Sequence, residues 1–65
     1  MAASKATFVV RTNSADEFYW VLEHQNGNTI ADSGEGYENK ADALNGIQSV
    51  KENAPGAPIV DETGK

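Results

Sequence analysis

The run FYWVLEH at residues 18–24 carries apolar side chains in both phases of a strand's alternation. Successive side chains of a strand point to opposite faces, so Phe18, Trp20 and Leu22 take one face while Tyr19 and Val21 take the other. Any sheet built on this run therefore has two faces to keep from water. The rest of the chain offers one amphipathic helix to cover them.

Residues 7–12, TFVVRT, repeat the pattern: Phe8 and Val10 on one face, Val9 and Arg11 on the other. Between the two runs, NSAD at 13–16 is a turn cluster whose side chains bond nearby backbone. Asn26-Gly27 predicts a two-residue type I′ hairpin turn. Residues 28–33, NTIADS, make a third strand, polar enough to lie at a sheet edge. In this register Ile30 joins the inner face and Ala31 the outer one.

SGEGYENK then breaks the strand pattern. Asn39 can cap a helix, with Asp42 three residues later as a capping-box variant. Ala43, Leu44, Ile47, Val50 and Ala54 recur at three- and four-residue spacing, predicting a helix over residues 40–53 that Pro55-Gly56 ends. Gly46, a helix interior glycine that costs about 1 kcal/mol relative to alanine, implies that a bulky sheet residue such as Trp20 packs directly against it. In the tail, Ile59-Val60 is a candidate short strand. The expected fold is α+β, a three-stranded antiparallel meander with one helix across one face. Residues 1–65 form one domain, with an ordered core over about 7–54. Phe8, Val10, Phe18, Trp20, Leu22 and Ile30 supply the sheet side of the core; Ala43, Leu44, Ile47 and Val50 supply the helix side.

A chain of 65 residues buries only about 60% of the surface its unfolded form exposes, so it needs help to be stable. With no cysteine, disulfides and thiolate metal sites are excluded, and a lone His24 excludes a histidine-rich one. Oligomerisation remains. Ten acidic residues against five basic ones give a formal charge of -5. The cations Lys5, Arg11, Lys40, Lys51 and Lys65 are scattered, which argues against nucleic acid as a partner. The acidity fits a solvated surface, or adaptation to high salt. No signal-like N-terminus and no membrane-length apolar run are present, which predicts a soluble, cytoplasmic protein without a membrane partner.

Candidate chemistry is sparse. GEG before the helix lacks the spacing of a phosphate-binding loop, and Glu35 would repel an anion. Lys40 by the helix start, with Tyr37, keeps a speculative anion or small-ligand site in view. His24 beside Glu23 points to the opposite face from it, and no nucleophile–base spacing is visible. Asp61-Glu62 lacks the alternating ligands of a calcium loop. Phe18-Tyr19-Trp20 reads as core rather than as a base-stacking platform. Tyr37, Asn45 and Ser49 are expected to form polar contacts between loop and helix. No catalytic residue, cofactor or metal is expected.

The combination of Phe8, Phe18 through Leu22, Asn26-Gly27, Ser33 with Gly36-Tyr37, Lys40, Asn45-Gly46-Ile47 and Ser49-Val50 resembles the YegP-like family of small uncharacterised proteins. The match spans residues 7–54, with Gly34 as one residue more than the shorter Ser-Glu-Gly-Tyr form. The resemblance implies a βββα unit, carried in tandem by many relatives, and no activity or catalytic residue to transfer.

One helix covers one face of a small sheet. The other face would expose Val9, Tyr19, Val21 and Ala31, an apolar patch of the kind that marks an interaction surface. The expected partner is a second copy of the chain, with an unidentified protein as the other candidate. In this arrangement the Ile59-Val60 tail crosses to the partner and extends its sheet, and a ligand site near Tyr37 and Lys40 would lie at the seam. The expected role is a non-enzymatic dimeric interaction or regulatory module; the alternative is a small-ligand binder.

Overall fold

The computed structural model describes residues 4–65. Strand β1 runs Ala6–Thr12, β2 Phe18–His24 and β3 Thr29–Asp32; helix α1 runs Lys40–Asn53. The sheet is antiparallel in the order β1-β2-β3, so the doubly apolar strand lies in the centre and the polar one at an edge. This is the expected βββα meander. The helix boundaries match those read from the apolar period.

Both hairpins close in the same way. Asn13 and Glu17 pair at the first, where the Asp16 N–H also donates to the Asn13 carbonyl at 3.0 Å. His24 and Asn28 pair at the second, where the Gly27 N–H donates to the His24 carbonyl at 2.9 Å. Each is a three-residue loop whose last residue is left-handed, Asp16 at φ 59° and Gly27 at φ 94°. The two-residue turn expected at Asn26-Gly27 is thus replaced by Gln25–Gly27. Local bonds favour the longer loop: the Asn26 N–H donates to His24 Nδ1 at 3.2 Å and the Asn28 N–H to Asn26 Oδ1 at 2.9 Å.

The second correction follows in β3. Leu22 lies opposite Ala31 and Glu23 opposite Thr29, leaving Ile30 as a bulge. Residues directly opposite share a face. Ala31 is therefore on the helix side with Leu22, not on the outer face, and Ile30 is 55% exposed rather than in the core.

Helix α1 packs on β2 and β1 and leaves β3 uncovered. Trp20 and Ala43 are buried at this contact, and Phe8 meets Trp20 edge-on with ring centroids 5.5 Å apart. Val10, Phe18, Leu22, Ile47 and Val50 are half-buried around them. Leu44 departs from expectation at 47% exposed. It sits about 100° around the helix from Ala43, and the stripe in contact runs through Ala43, Gly46, Ile47 and Val50. At the helix start Asn39 occupies the cap position, yet its side chain caps no backbone N–H and reaches Asp42 Oδ2 at 3.5 Å instead. Beyond the helix, Gly56 at φ 80° completes a Pro55-Gly56 turn closed from Ala57 to Ala54 at 3.0 Å. The tail forms no strand: Ile59 is 96% exposed and Val60 75%.

A β-carbon added at Gly46 would lie 3.1 Å from Trp20 Nε1 and 3.2 Å from the Tyr37 hydroxyl oxygen. The expected packing of Trp20 on this glycine is what the structure has. A Gly46→Leu variant is expected to lose about 1–3 kcal/mol in chemical denaturation, because the added volume has only the indole and phenol to displace. At the first hairpin, Asp16 holds a left-handed conformation that costs an L-residue about 1–2 kcal/mol, against about 0.5–1 for the extra unfolded freedom of glycine. Asp16→Gly should therefore raise the unfolding free energy by on the order of 0.5 kcal/mol, whereas Gly27→Ala at the matching site of the other hairpin should lower it.

Candidate functional site

The residues between β3 and α1 make the most irregular backbone of the sheet. The Ser33 N–H still donates to the Trp20 carbonyl at 3.0 Å; after Ser33 the chain leaves β2, and it rejoins at Tyr37, which exchanges two 2.7 Å backbone bonds with Phe18. Sequence forces the detour. Gly34 is left-handed at φ 71°, the Gly34 N–H donates to Asp32 Oδ1 at 2.8 Å, and the Ser33 hydroxyl donates to the Glu35 carbonyl at 2.8 Å. Gly36 lies flat against Glu17, where a β-carbon would come within 2.8 Å of Glu17 Cβ. Glu17 is held in turn by Asn13, whose amide donates to Glu17 Oε1 at 3.1 Å.

Beside this detour, on the outer side of the sheet, lies an open depression of about 560 Å³, bordered by Asn13, Tyr19, Val21 and Asp32 through Gly36. Asp32 stands at its rim, whereas the Glu35 carboxylate lies toward the Tyr37 hydroxyl. A second cavity, about 530 Å³, lies between Val10, Arg11, Thr12, Phe18 and Lys40. Tyr37 and Lys40, paired in the sequence reading, line no common cavity. Tyr37 turns inward from the rejoined backbone so that its hydroxyl lies against α1 at Gly46.

Burial pushes the Tyr37 phenol above its ordinary value of 10.0, and the Glu35 carboxylate pushes it further in the same direction. The buried Trp20 N–H makes no well-formed hydrogen bond, although it lies near enough to the phenol oxygen to oppose that rise. Asn45 and Ser49 do not join Tyr37. Asn45 is exposed, and the Ser49 carbonyl accepts from the Asn53 side-chain amide at 2.8 Å within the helix. His24 uses its Nδ1 as a turn acceptor.

On the outer face Val9 and Tyr19 are half-buried, while Val21 is only 9% exposed within the single chain. Arg11 reaches diagonally across the Val9–Val21 pair to Glu23 Oε2 at 3.3 Å. This exposed ion pair, worth about 0–1 kcal/mol, spans the centre of a face that alternation alone presents as bare. The signal for it was in the sequence: Arg11 and Glu23 fall in the same phase as Val9 and Val21.

The raised Tyr37 pKa favours the protonated phenol in the folded state. Its contribution to stability is whole below the unfolded value near 10 and is lost as pH rises through the folded value. Absorbance titration should show a tyrosine step above the ordinary phenol range, and that step should vanish in Tyr37→Phe, along with the part of the alkaline stability loss that it causes.

Among the described residues no helix is long and apolar enough to cross a membrane, and no three His, Cys, Asp or Glu side chains converge as a metal cluster. Comparison with known proteins agrees with the fold. The solution structure of a protein from Haloferax volcanii superposes with a TM-score of 0.84 at 51% identity, covering 91% of this chain and 98% of that one. A UPF0339 protein of Agrobacterium fabrum is 46% identical over 56 residues, 86% of this chain and 89% of its own length. A UPF0339 protein encoded in the 5′ region of the ptx operon of Stutzerimonas stutzeri is 47% identical over 49 residues, and the match spans 43% of that longer protein. Residues 13–61 match the model of the domain of unknown function DUF1508. The chain belongs to the small uncharacterised UPF0339 family, whose YegP-like pattern its sequence carries.

Proposed function

We propose that the protein is a non-enzymatic interaction module that works as a homodimer. The observation that carries this reading is surface in excess of what a folded chain of this size keeps. The accessible area is 5270 Å², where size scaling gives about 4,000 Å² for a compact monomer of this mass. The radius of gyration is 13.7 Å, where a compact chain of this length has about 11 Å. Part of the excess is the tail, with Ile59 and Val60 left in water; another part is the outer face around Val9 and Tyr19.

A second copy is the partner that answers both features at once, because in a two-fold pair each chain offers a tail and receives one. Burying the apolar part of that surface would add stabilisation at about 25 cal/mol per Å² to a core in which, among the described residues, Trp20, Val21 and Ala43 are the buried apolar ones. The length of the Stutzerimonas relative, of which this match spans less than half, leaves room for a second unit in the same chain. The absence of enzymatic activity is supported by the use of His24 as a turn acceptor and by the inward, structural position of Tyr37.

Sedimentation equilibrium at micromolar concentration tests this reading. A dimer is expected, tighter at about 1 M salt than at about 0.1 M, because two chains of charge -5 repel and salt screens the repulsion. The double variant Ile59→Asp, Val60→Asp is expected to be folded and monomeric, since both side chains are mostly in water within their own chain. A parent that is monomeric and well folded at both salt concentrations would defeat the reading. A dimer untouched by the tail variant but lost in Val9→Lys would place the contact on the outer face alone.

A further inference from the structure

We propose that Asn26 is a self-modification site: its side-chain amide is converted to a carboxylate through a cyclic imide formed with Gly27, while the same dipeptide at Asn45-Gly46 is protected by the fold. The chain carries Asn-Gly twice, once at the tip of the β2–β3 hairpin and once inside α1. Glycine has no β-carbon, so in both pairs the backbone nitrogen that must attack is unhindered. What differs is the backbone around it.

The reaction needs only water. A hydroxide takes the Gly27 amide proton, and the nitrogen attacks Asn26 Cγ. A bond forms between Gly27 N and Cγ, the Cγ–Nδ2 bond breaks, and the side-chain nitrogen leaves as ammonia with a proton from water. A water molecule then opens the imide at either of its two carbonyls. One opening gives an aspartate at position 26. The other gives an isoaspartate, whose main chain runs through the side-chain carbon. The balance is one water consumed and one ammonia released.

The hairpin tip suits these steps. Asn26 and Gly27 are exposed, and a β-carbon at Gly27 would meet nothing within 4 Å, so hydroxide has an open approach. The Asn28 N–H donates to Asn26 Oδ1 at 2.9 Å. That bond closes a ring containing both reacting atoms, and it places a donor on the oxygen that takes up negative charge during the addition. One bond opposes the reaction: the Gly27 N–H donates to the His24 carbonyl at 2.9 Å and must open first. Opening at an exposed loop tip is among the least costly fluctuations of a fold. In α1 the opposite holds. The Gly46 N–H belongs to the helix ladder, and a helical side chain points back toward the helix N-terminus, away from the following nitrogen. Gly46 also backs onto Trp20 and Tyr37, so exposing it means undoing the core contact.

The two products act differently on the sheet. Either adds one negative charge to the formal -5. The aspartate keeps an oxygen for the Asn28 N–H and leaves the hairpin as it is. The isoaspartate adds a backbone carbon to a loop whose length is matched to the His24–Asn28 pairing at 2.8 Å, and so loosens β3, the edge strand that α1 does not cover. The tip is no part of the tail or outer face through which dimerisation is proposed.

The test is timed incubation of the folded protein in mildly alkaline buffer, with a parallel sample in guanidinium, followed by brief tryptic digestion and mass spectrometry. Cleavage at Arg11, Lys40 and Lys51 puts Asn26 in the peptide 12–40 and Asn45 in 41–51. In the folded chain Asn26 is expected to convert at least roughly a hundredfold faster than Asn45, as paired aspartate and isoaspartate products. In guanidinium both sites are expected to convert at similar rates. Amide exchange at residues 29–32 should quicken in the aged sample and not in Asn26→Asp, which carries the charge without the extra backbone carbon. Conversion in guanidinium with none at Asn26 in the folded chain overturns the proposal. So do equal folded-state rates at Asn26 and Asn45, conversion spread equally over Asn13, Asn28 and Asn39, or an aged sample whose β3 exchange matches that of fresh protein.

Discussion

The Trp20 indole against helix α1 is the contact on which the rest of the molecule depends. It is the largest side chain buried, and it lies on the central strand. It can lie there only because α1 presents Ala43, fully buried, and Gly46, which has no side chain. A ring over a flat stretch of helix brings the two layers close, and Phe8 then closes on the ring edge from β1. Tyr37 is drawn into the same contact from the end of the detour, which explains why the chain rejoins β2 opposite Phe18 before the helix starts. The helix cost of Gly46 is thus offset by packing that no larger residue would permit.

Centring the helix on β2 and β1 has a consequence at the other edge. With β3 outside the helix footprint, nothing demands a strict alternation there, and a bulge is tolerated. The bulge puts Ala31 on the helix side of the sheet, where it stays exposed beyond the helix, and leaves Ile30 in water. It also shortens the outer face on the β3 side. That face now consists of Val9, Tyr19 and a Val21 already shielded, crossed by the Arg11–Glu23 pair. Its apolar content is smaller than alternation implies, which moves the weight of the dimer proposal from the face toward the exposed tail.

The detour from Ser33 to Gly36 connects these two halves. It is the price of joining an edge strand to a helix that sits over the strands beyond it. The local bonds of Asp32, Ser33 and Glu17 shape the detour, which borders an open depression beside Tyr19 and Val21. Fold and candidate site are in this sense one feature. The glycines and short polar residues that let the chain reach the helix also shape the space beside Tyr19.

What the sequence determined by itself is the set of elements and their order: three strands, then a helix over Lys40–Asn53, with the aromatic strand in the middle and Trp20 on Gly46. These are local matters, since period, turn residues and the missing side chain of a glycine act within a few neighbours. The hairpin loop was misjudged by one residue because Asn26 can serve either a two-residue or a three-residue turn. Only the bonds of Asn26 with His24 and Asn28 select between them. The exposure of Leu44, the exchange of Ile30 with Ala31, the ion pair over Val21 and the cavity beside Tyr19 were decided by tertiary structure. Each depends on which strands the helix covers and on how the detour meets β2. Those are distances between residues far apart in the chain, which periodicity along the chain does not encode.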